Sequence, residues 1–261
     1  MANTNRQQRQ SAERLILGSL TVVAVVGTYA FVTSLPTNNP AVLPPLSAIW
    51  NALVETVGNG NLISALFASL KRIAIGFCLG AGAAVVIGSL MGWFRRFEYL
   101  TDPIIEALRP IPPLAYIPLI IIWLGVGEES RILVITLACF LTCIINVIVG
   151  MKQVPKVYVD AAATLGASRV HIFRTVALPA ALPYIFTGLR IALAAAWTTL
   201  VASELVAAQD GLGFMLQEGR RYFRTDQVML VIAVIGVCAF TMDRTFRAIQ
   251  GRLTRWAEIA Q

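Results

Sequence analysis

Long apolar runs alternate along the chain with short segments into which the charged residues are crowded. The runs are long enough to cross a hydrocarbon layer of about 30 Å, so the pattern predicts membrane-spanning helices. Six can be drawn, over residues 15–35, 73–93, about 111–124, 132–150, 184–205 and 228–242. The third is irregular, because Pro110, Pro112, Pro113 and Pro118 remove backbone donors and push the preceding residues out of helical geometry. This predicts a break near 110–113, with 101–108 as a separate helical piece. Leu46, Ile49, Trp50, Leu53, Val54 and Val57 recur at spacings of three and four and end at Gly58 and Gly60. They form one apolar stripe on a helix expected to lie along the membrane surface.

Composition sharpens the picture. Of 261 residues, 57% are hydrophobic and only 13% charged, against roughly a quarter charged in a soluble domain. A formal charge of +7 raises nucleic acid as a partner, but the arginines sit at the ends of apolar runs rather than on a solvated basic face, so no nucleic-acid partner is expected. Cys78, Cys139, Cys143 and Cys238 all fall inside apolar runs, where a thiol behaves as a small hydrophobe; neither a disulfide framework nor a metal site is indicated. Arg6, Arg9 and Arg14 precede an apolar stretch as in a signal peptide, yet that stretch is too long for a signal core and reads as a first span. With the N-terminus inside, thirteen lysines and arginines fall on inner segments and six on outer segments or their borders: Lys71, Arg72, Arg131, Arg220, Arg221 and Arg224. The bias places both termini in the cytoplasm, although Arg220, Arg221 and Arg224 run against it. No internal repeat or second domain is visible, and 1–261 reads as a single transmembrane domain. Gly76-x3-Gly80 and Gly88-x3-Gly92 would let a neighbouring backbone approach span two closely.

The longest inner loop, 151–183, is too apolar and too ordered in pattern for a passive connector. Asp160-Ala161-Ala162-Ala163-Thr164-Leu165 favours helix, Gly166 permits a tight turn, and Ala167 to Phe173 leads towards span five before Pro179 and Pro183. A short helix, a turn and a helix are therefore presented at the inner face. Here the sequence resembles the importer permeases of the ATP-binding-cassette class, whose loop signature is Glu-Ala-Ala, three residues, Gly, and later Ile-x-Leu-Pro. Asp160, Ala161, Ala162, Gly166, Val176, Leu178 and Pro179 occupy those positions, with Asp160 replacing glutamate and Val176 replacing isoleucine. The resemblance covers about 65–256 and is nearest to the nitrate, taurine and sulfonate branch, and within it to taurine permeases. It is carried also by Arg109-Pro110-Ile111-Pro112-Pro113, by Leu182-Pro183-Tyr184, and by Ser203-Glu204-Leu205 with Gly211-Leu212-Gly213.

The resemblance implies an all-α polytopic protein with the type I importer permease fold, in the bacterial cytoplasmic membrane and in contact with lipid. It implies a homodimer, two cytoplasmic ATPase subunits and an external solute-binding protein, with 160–173 as the coupling helix and Phe173 at its end. The cargo it implies is taurine or another small sulfonate, with nitrate, bicarbonate or another small organic acid behind it. No Gly-x4-Gly-Lys-Ser/Thr phosphate loop occurs here, so ATP and its magnesium belong to the partner, and this chain is expected to be neither an enzyme nor a cofactor carrier.

Ionisable residues inside spans are costly and are default candidates for a path. Arg190, Trp197 and Glu204 recur every seven residues on span five, with Thr187, Ala194 and Val201 leaving room beside them. Arg190 and Glu204 also stand near the span's ends, where snorkelling to water explains them equally. Thr198, Ser203 and Asn146 are further candidates, against the alternative that buried hydroxyls simply bond their own helix. An intramembrane enzyme would need a second histidine or a mid-span carboxylate pair, which the sequence lacks. A channel or stand-alone carrier explains six spans but leaves the 160–179 segment without a purpose.

Overall fold

The structure, a computed structural model, describes residues 2–35 and 39–254. Arg255 and Trp256, which enter the charge bias and the family resemblance above, and Pro36 lie outside the described residues. Among those described, the chain is helical throughout: α1 Ala2–Ser34, α2 Leu46–Gly58, α3 Asn61–Trp93, α4 Arg95–Leu108, α5 Ile117–Leu124, α6 Glu128–Lys152, α7 Lys156–Thr164, α8 Arg169–Ile172, α9 Leu178–Ala207, α10 Leu212–Arg221 and α11 Thr225–Leu253. Five helical segments are long and apolar enough to cross a membrane, and six if α4 and α5 count as one bent span.

The bend falls where the prolines require it. α4 ends at Leu108, a 3₁₀ turn runs over Pro113–Tyr116, and the two helical pieces meet at 83°. Pro118 sits in the first turn of α5, where a missing N–H costs no intrahelical bond. The apolar stripe beginning at Leu46 forms α2 and buries Ala52 and Thr56 while Trp50 stays exposed. α1 is peripheral, with Tyr29 donating to the Pro44 carbonyl at 2.6 Å.

The centre is the packing of α3 against α6 and of α6 against α9. In lipid no hydrophobic force drives helices together, so close backbone approach must supply the contact energy. The glycine pairs of α3 supply it. A Cβ on Gly76 would stand 2.7 Å from Ile135 Cγ2, one on Gly80 would run into the Thr136 carbonyl, and one on Gly88 would stand 3.0 Å from Val147. Gly188 does the same for α9, where a Cβ would lie 2.9 Å from Asn146.

Besides α4, which begins at Arg95 rather than at 101, and α11, which continues to Leu253 rather than ending at 242, two boundaries differ from the sequence expectation. Span two starts a dozen residues earlier than the hydropathy break at position 73, because α3 runs unbroken from Asn61 through Lys71 and Arg72. Arg72 is not a border charge but is fully buried. The second difference is at span five, where Pro179 and Pro183 do not interrupt the helix. A π turn over Phe173–Ala177 widens the helix just ahead of Pro179, making room for the ring and absorbing the missing donor. α8, this turn and α9 thus run as one apolar segment from Arg169 to Val206.

Candidate functional site

The predicted coupling segment stands off one end of the bundle. α6 stops at Lys152 and Pro155 precedes α7, which contains Asp160, Ala161 and Ala162 and buries none of its residues. Gly166 follows with φ +81°, a left-handed conformation that L side chains rarely adopt, and its N–H donates to the Ala163 carbonyl at 2.9 Å. Ser168 then caps α8 by accepting from the His171 N–H at 3.3 Å. Leu165 is 88% exposed at the tip of the turn, and Val157, Tyr158 and Val170 are exposed beside it. The rear of the segment is anchored. Ile172 and Ala177 are buried, and the Phe173 ring lies tilted against both Trp93 and Phe94 with ring centroids 6.0 Å apart. Leu178 and Pro179 are half-buried in the first turn of α9. A rigid foundation thus carries an exposed apolar tip.

The candidate path residues do not converge on one surface. Thr198 is exposed, on an outward face of α9 shared with Thr187, Ile191 and Ala194, and its hydroxyl donates to the Ala194 carbonyl at 3.1 Å. Arg190 pairs with Asp243 of α11 at 3.1 Å. Trp197 and Ser203 point into the bundle, where Ser203 donates to the Leu200 carbonyl at 2.8 Å. Asn146 is half-buried at the α6–α9 contact and donates to the Thr142 carbonyl at 3.3 Å.

Glu204 belongs to an ion cluster at the end of the bundle remote from α7. Its carboxylate, fully buried, accepts from Arg72 Nη1 at 2.6 Å, from the Ser69 hydroxyl at 2.8 Å and from the Gly213 N–H at 2.7 Å. Arg72 also binds Glu128 through Nε at 2.9 Å and through Nη2, and Asp210 through Nη2 and, at 3.1 Å, through the backbone carbonyl. Arg131 joins at 2.6 Å from Glu128. The cluster fastens α3, α6 and α9 to the 208–213 segment, and Gly211, at φ +104°, leaves the space that the guanidinium fills. Sequence reasoning found Glu204 but not Ser69, Glu128 or Asp210. The available signal was an arginine inside an apolar helix, which demands a counter-charge.

Beside this cluster lies a polar cavity of about 380 Å³ between α2, the start of α3 and α10, lined by Glu55, Asn59, Asp210, Glu218, Arg224 and Gln227 among others. Across it Arg224 makes a forked pair with Glu55, at 3.0 and 2.7 Å. The hydrogen bonds from Arg224 hold the Glu55 carboxyl below its ordinary value and raise the Arg224 guanidinium.

The family described as the inner membrane component of binding-protein-dependent transport systems matches residues 84–256. The chain belongs to this family. It is the permease component of an ATP-binding-cassette importer, a transport subunit rather than an enzyme. The permease is 42% identical over 247 residues to the taurine transport system permease protein of Escherichia coli (strain K12), covering 93% of this chain and 89% of the relative. It is 34% identical to the putative aliphatic sulfonates transport permease protein of Bacillus subtilis (strain 168), covering 92% of this chain and 87% of that one. A solved structure, the inward-facing MetNI methionine ABC transporter, superposes with TM-score 0.63 over 74% of this chain and 96% of its own at 20% identity. At that identity the likeness speaks for the fold, that of the type I importer permeases.

Proposed function

We propose that the permease works as a homodimer, fed by an external binding protein and driven by two cytoplasmic ATPase subunits that hold ATP and magnesium, to import taurine or a related small sulfonate. Both termini and the α7–α8 segment face the cytoplasm, in keeping with the basic bias of the inner segments. The observation that carries the reading is the exposed tip at Leu165, built on a left-handed Gly166 and anchored through Ile172 and Phe173 into the long α9 segment. A movement applied at that tip passes into a spanning helix as a rigid-body movement, which is how alternating access operates. The outward face of α9 sets the hydroxyls of Thr187 and Thr198 beside Ile191 and Ala194, and this supports a path between two copies. Identity to the taurine and sulfonate permeases over most of the chain supports the cargo.

The test of coupling uses the purified complex in lipid vesicles. A Cβ at Gly166 meets nothing within 4 Å, so Gly166→Val is strained by its backbone angle alone. Gly166→Val and Asp160→Arg should insert normally yet lose ATPase binding or substrate-stimulated hydrolysis. Normal stimulation and uptake in both variants would refute the coupling role. For cargo, deleting the gene should impair growth on taurine as sole sulfur source and spare growth on sulfate; unchanged taurine uptake without a redundant importer removes the sulfonate assignment.

A further inference from the structure

Where α3 and α6 end, a cavity of about 440 Å³ opens between those two helix ends and the α7–α8 segment. Its walls divide by chemistry. Trp93, Met151, Val154 and Ile172 make an apolar side, while Lys152, Lys156 and Arg169 bring three cations to a lining that contains no carboxylate. Lys152 reaches Glu98 at 2.5 Å, but Lys156 and Arg169 have no ion pair among the described residues. Asp160, the single carboxylate of α7, is exposed and does not line the cavity. Lys156 and Arg169, two unpaired like charges at one opening, repel one another, and an anion seated between them turns that repulsion into attraction.

The position of the cavity narrows the ligand. It lies at the level where spanning helices stop, and Trp93, tilted against Phe173 at 6.0 Å, is the ring type that marks the border between hydrocarbon and water. A basic opening between spans with an apolar flank matches a phosphate headgroup above its acyl chains. Lys156 opens α7 and Arg169 opens α8, on opposite sides of the Gly166 turn, so one anion held by both spans the turn.

We propose that this cavity binds a phosphate-bearing anion, delivered as an anionic phospholipid headgroup or as free phosphate, which ties the α7–α8 segment to the ends of α3 and α6. The inference rests on the cytoplasmic placement of α7–α8 given above. Coupling then depends on what occupies the cavity as well as on the ATPase.

The experiment uses the permease purified with its ATPase subunits. Retention of added phosphatidylglycerol or phosphatidylcholine is read by native mass spectrometry for wild type, for Lys156→Gln/Arg169→Gln, and for the control Arg95→Gln/Arg96→Gln, whose side chains are exposed away from the cavity lining. Each lining cation removed should lower phosphatidylglycerol retention about fivefold. The control should match wild type, and phosphatidylcholine retention should not change. Titration of inorganic phosphate into lipid-depleted complex separates the sources. Phosphate binding that the double variant loses assigns the free anion, and phosphatidylglycerol retention without phosphate binding assigns the lipid. Equal phosphatidylglycerol retention and equal phosphate binding in wild type and double variant overturn the proposal. So does a double variant that sheds its ATPase in phosphatidylcholine vesicles while still retaining phosphatidylglycerol, which gives the two cations to the ATPase contact instead. Retention is measured without turnover, so its failure is distinct from failure of the coupling role, which is read in hydrolysis and uptake.

Discussion

Removing Arg72 should damage the permease more than removing Glu204, although the two form a direct pair. All three guanidinium nitrogens of Arg72 are engaged, with Glu128, Glu204 and Asp210. Glu204→Gln leaves Arg72 with two carboxylates, and the glutamine oxygen can still accept from the Gly213 N–H or the Ser69 hydroxyl. The expected loss is that of a charge-assisted bond made neutral, about 1.5–3 kcal/mol. Arg72→Met strands a fully buried carboxylate at Glu204 with only neutral donors, and breaking a buried pair from one side costs about 3–5 kcal/mol. Combining the two substitutions removes the stranded charge, so the double variant should be more stable than the sum of the singles by more than about 0.5 kcal/mol, the limit of ordinary additivity. Unfolding in mixed detergent–SDS micelles, followed by tryptophan fluorescence, measures all three variants against wild type. A smaller loss for Arg72→Met than for Glu204→Gln, or strict additivity in the double variant, would refute the assignment of Arg72 as the centre of the cluster.

Gly80→Ala should weaken the fold by about 1–3 kcal/mol, since its methyl would collide with the Thr136 carbonyl, whereas Gly82→Ala, with open space around it, should be neutral in the same assay. The Glu55–Arg224 tie should respond to acid: Glu55 titrates lower in the folded protein, so the tie is intact above the ordinary carboxylate range and is lost as pH falls through the depressed value. Amide exchange over α2 should rise only in acid, and Glu55→Gln should raise it at neutral pH; exchange indifferent to both would remove the tie as a fastening of α2. Single cysteines at Asn39 and Gln250 in a cysteine-free version should differ, the first labelled by an impermeant reagent in intact cells and the second not. Labelling of Gln250 from outside would overturn the proposed orientation.

Five spans were legible because length and apolarity decide them; the third span, drawn over 111–124, falls short, since α5 has eight residues and a sixth span exists only as the bent α4–α5 pair. The break between α4 and α5 was legible because four prolines admit little else. The turn at Gly166 was readable for the same reason, a residue type whose backbone freedom the position uses. Arg72 was not legible as a buried residue. Next to Lys71 it looks like a border charge, and its partners lie 56 to 138 positions away, so only the folded chain brings them together. Span five shows a second limit. The seven-residue stripe of Arg190, Trp197 and Glu204 is real on the helix, but each member meets a different neighbour: Asp243, the bundle interior, and the Arg72 cluster. Spacing identifies a helix face and leaves open what that face meets. Pro179 misled for a related reason, since a helix breaker in sequence can be absorbed by one widened turn.

That widened turn has a mechanical consequence. Without it, Pro179 would separate the loop from the span by a joint, and displacement at Gly166 would be lost in bending. With it, the 38 residues from Arg169 to Val206 act as a single lever, about 57 Å long at 1.5 Å per residue. A tilt of about 10° about its midpoint carries each end through about 5 Å. The end opposite Gly166 is where Arg72 grips Glu204, so under the proposed coupling a push on α7 would be delivered as a pull on the far rim.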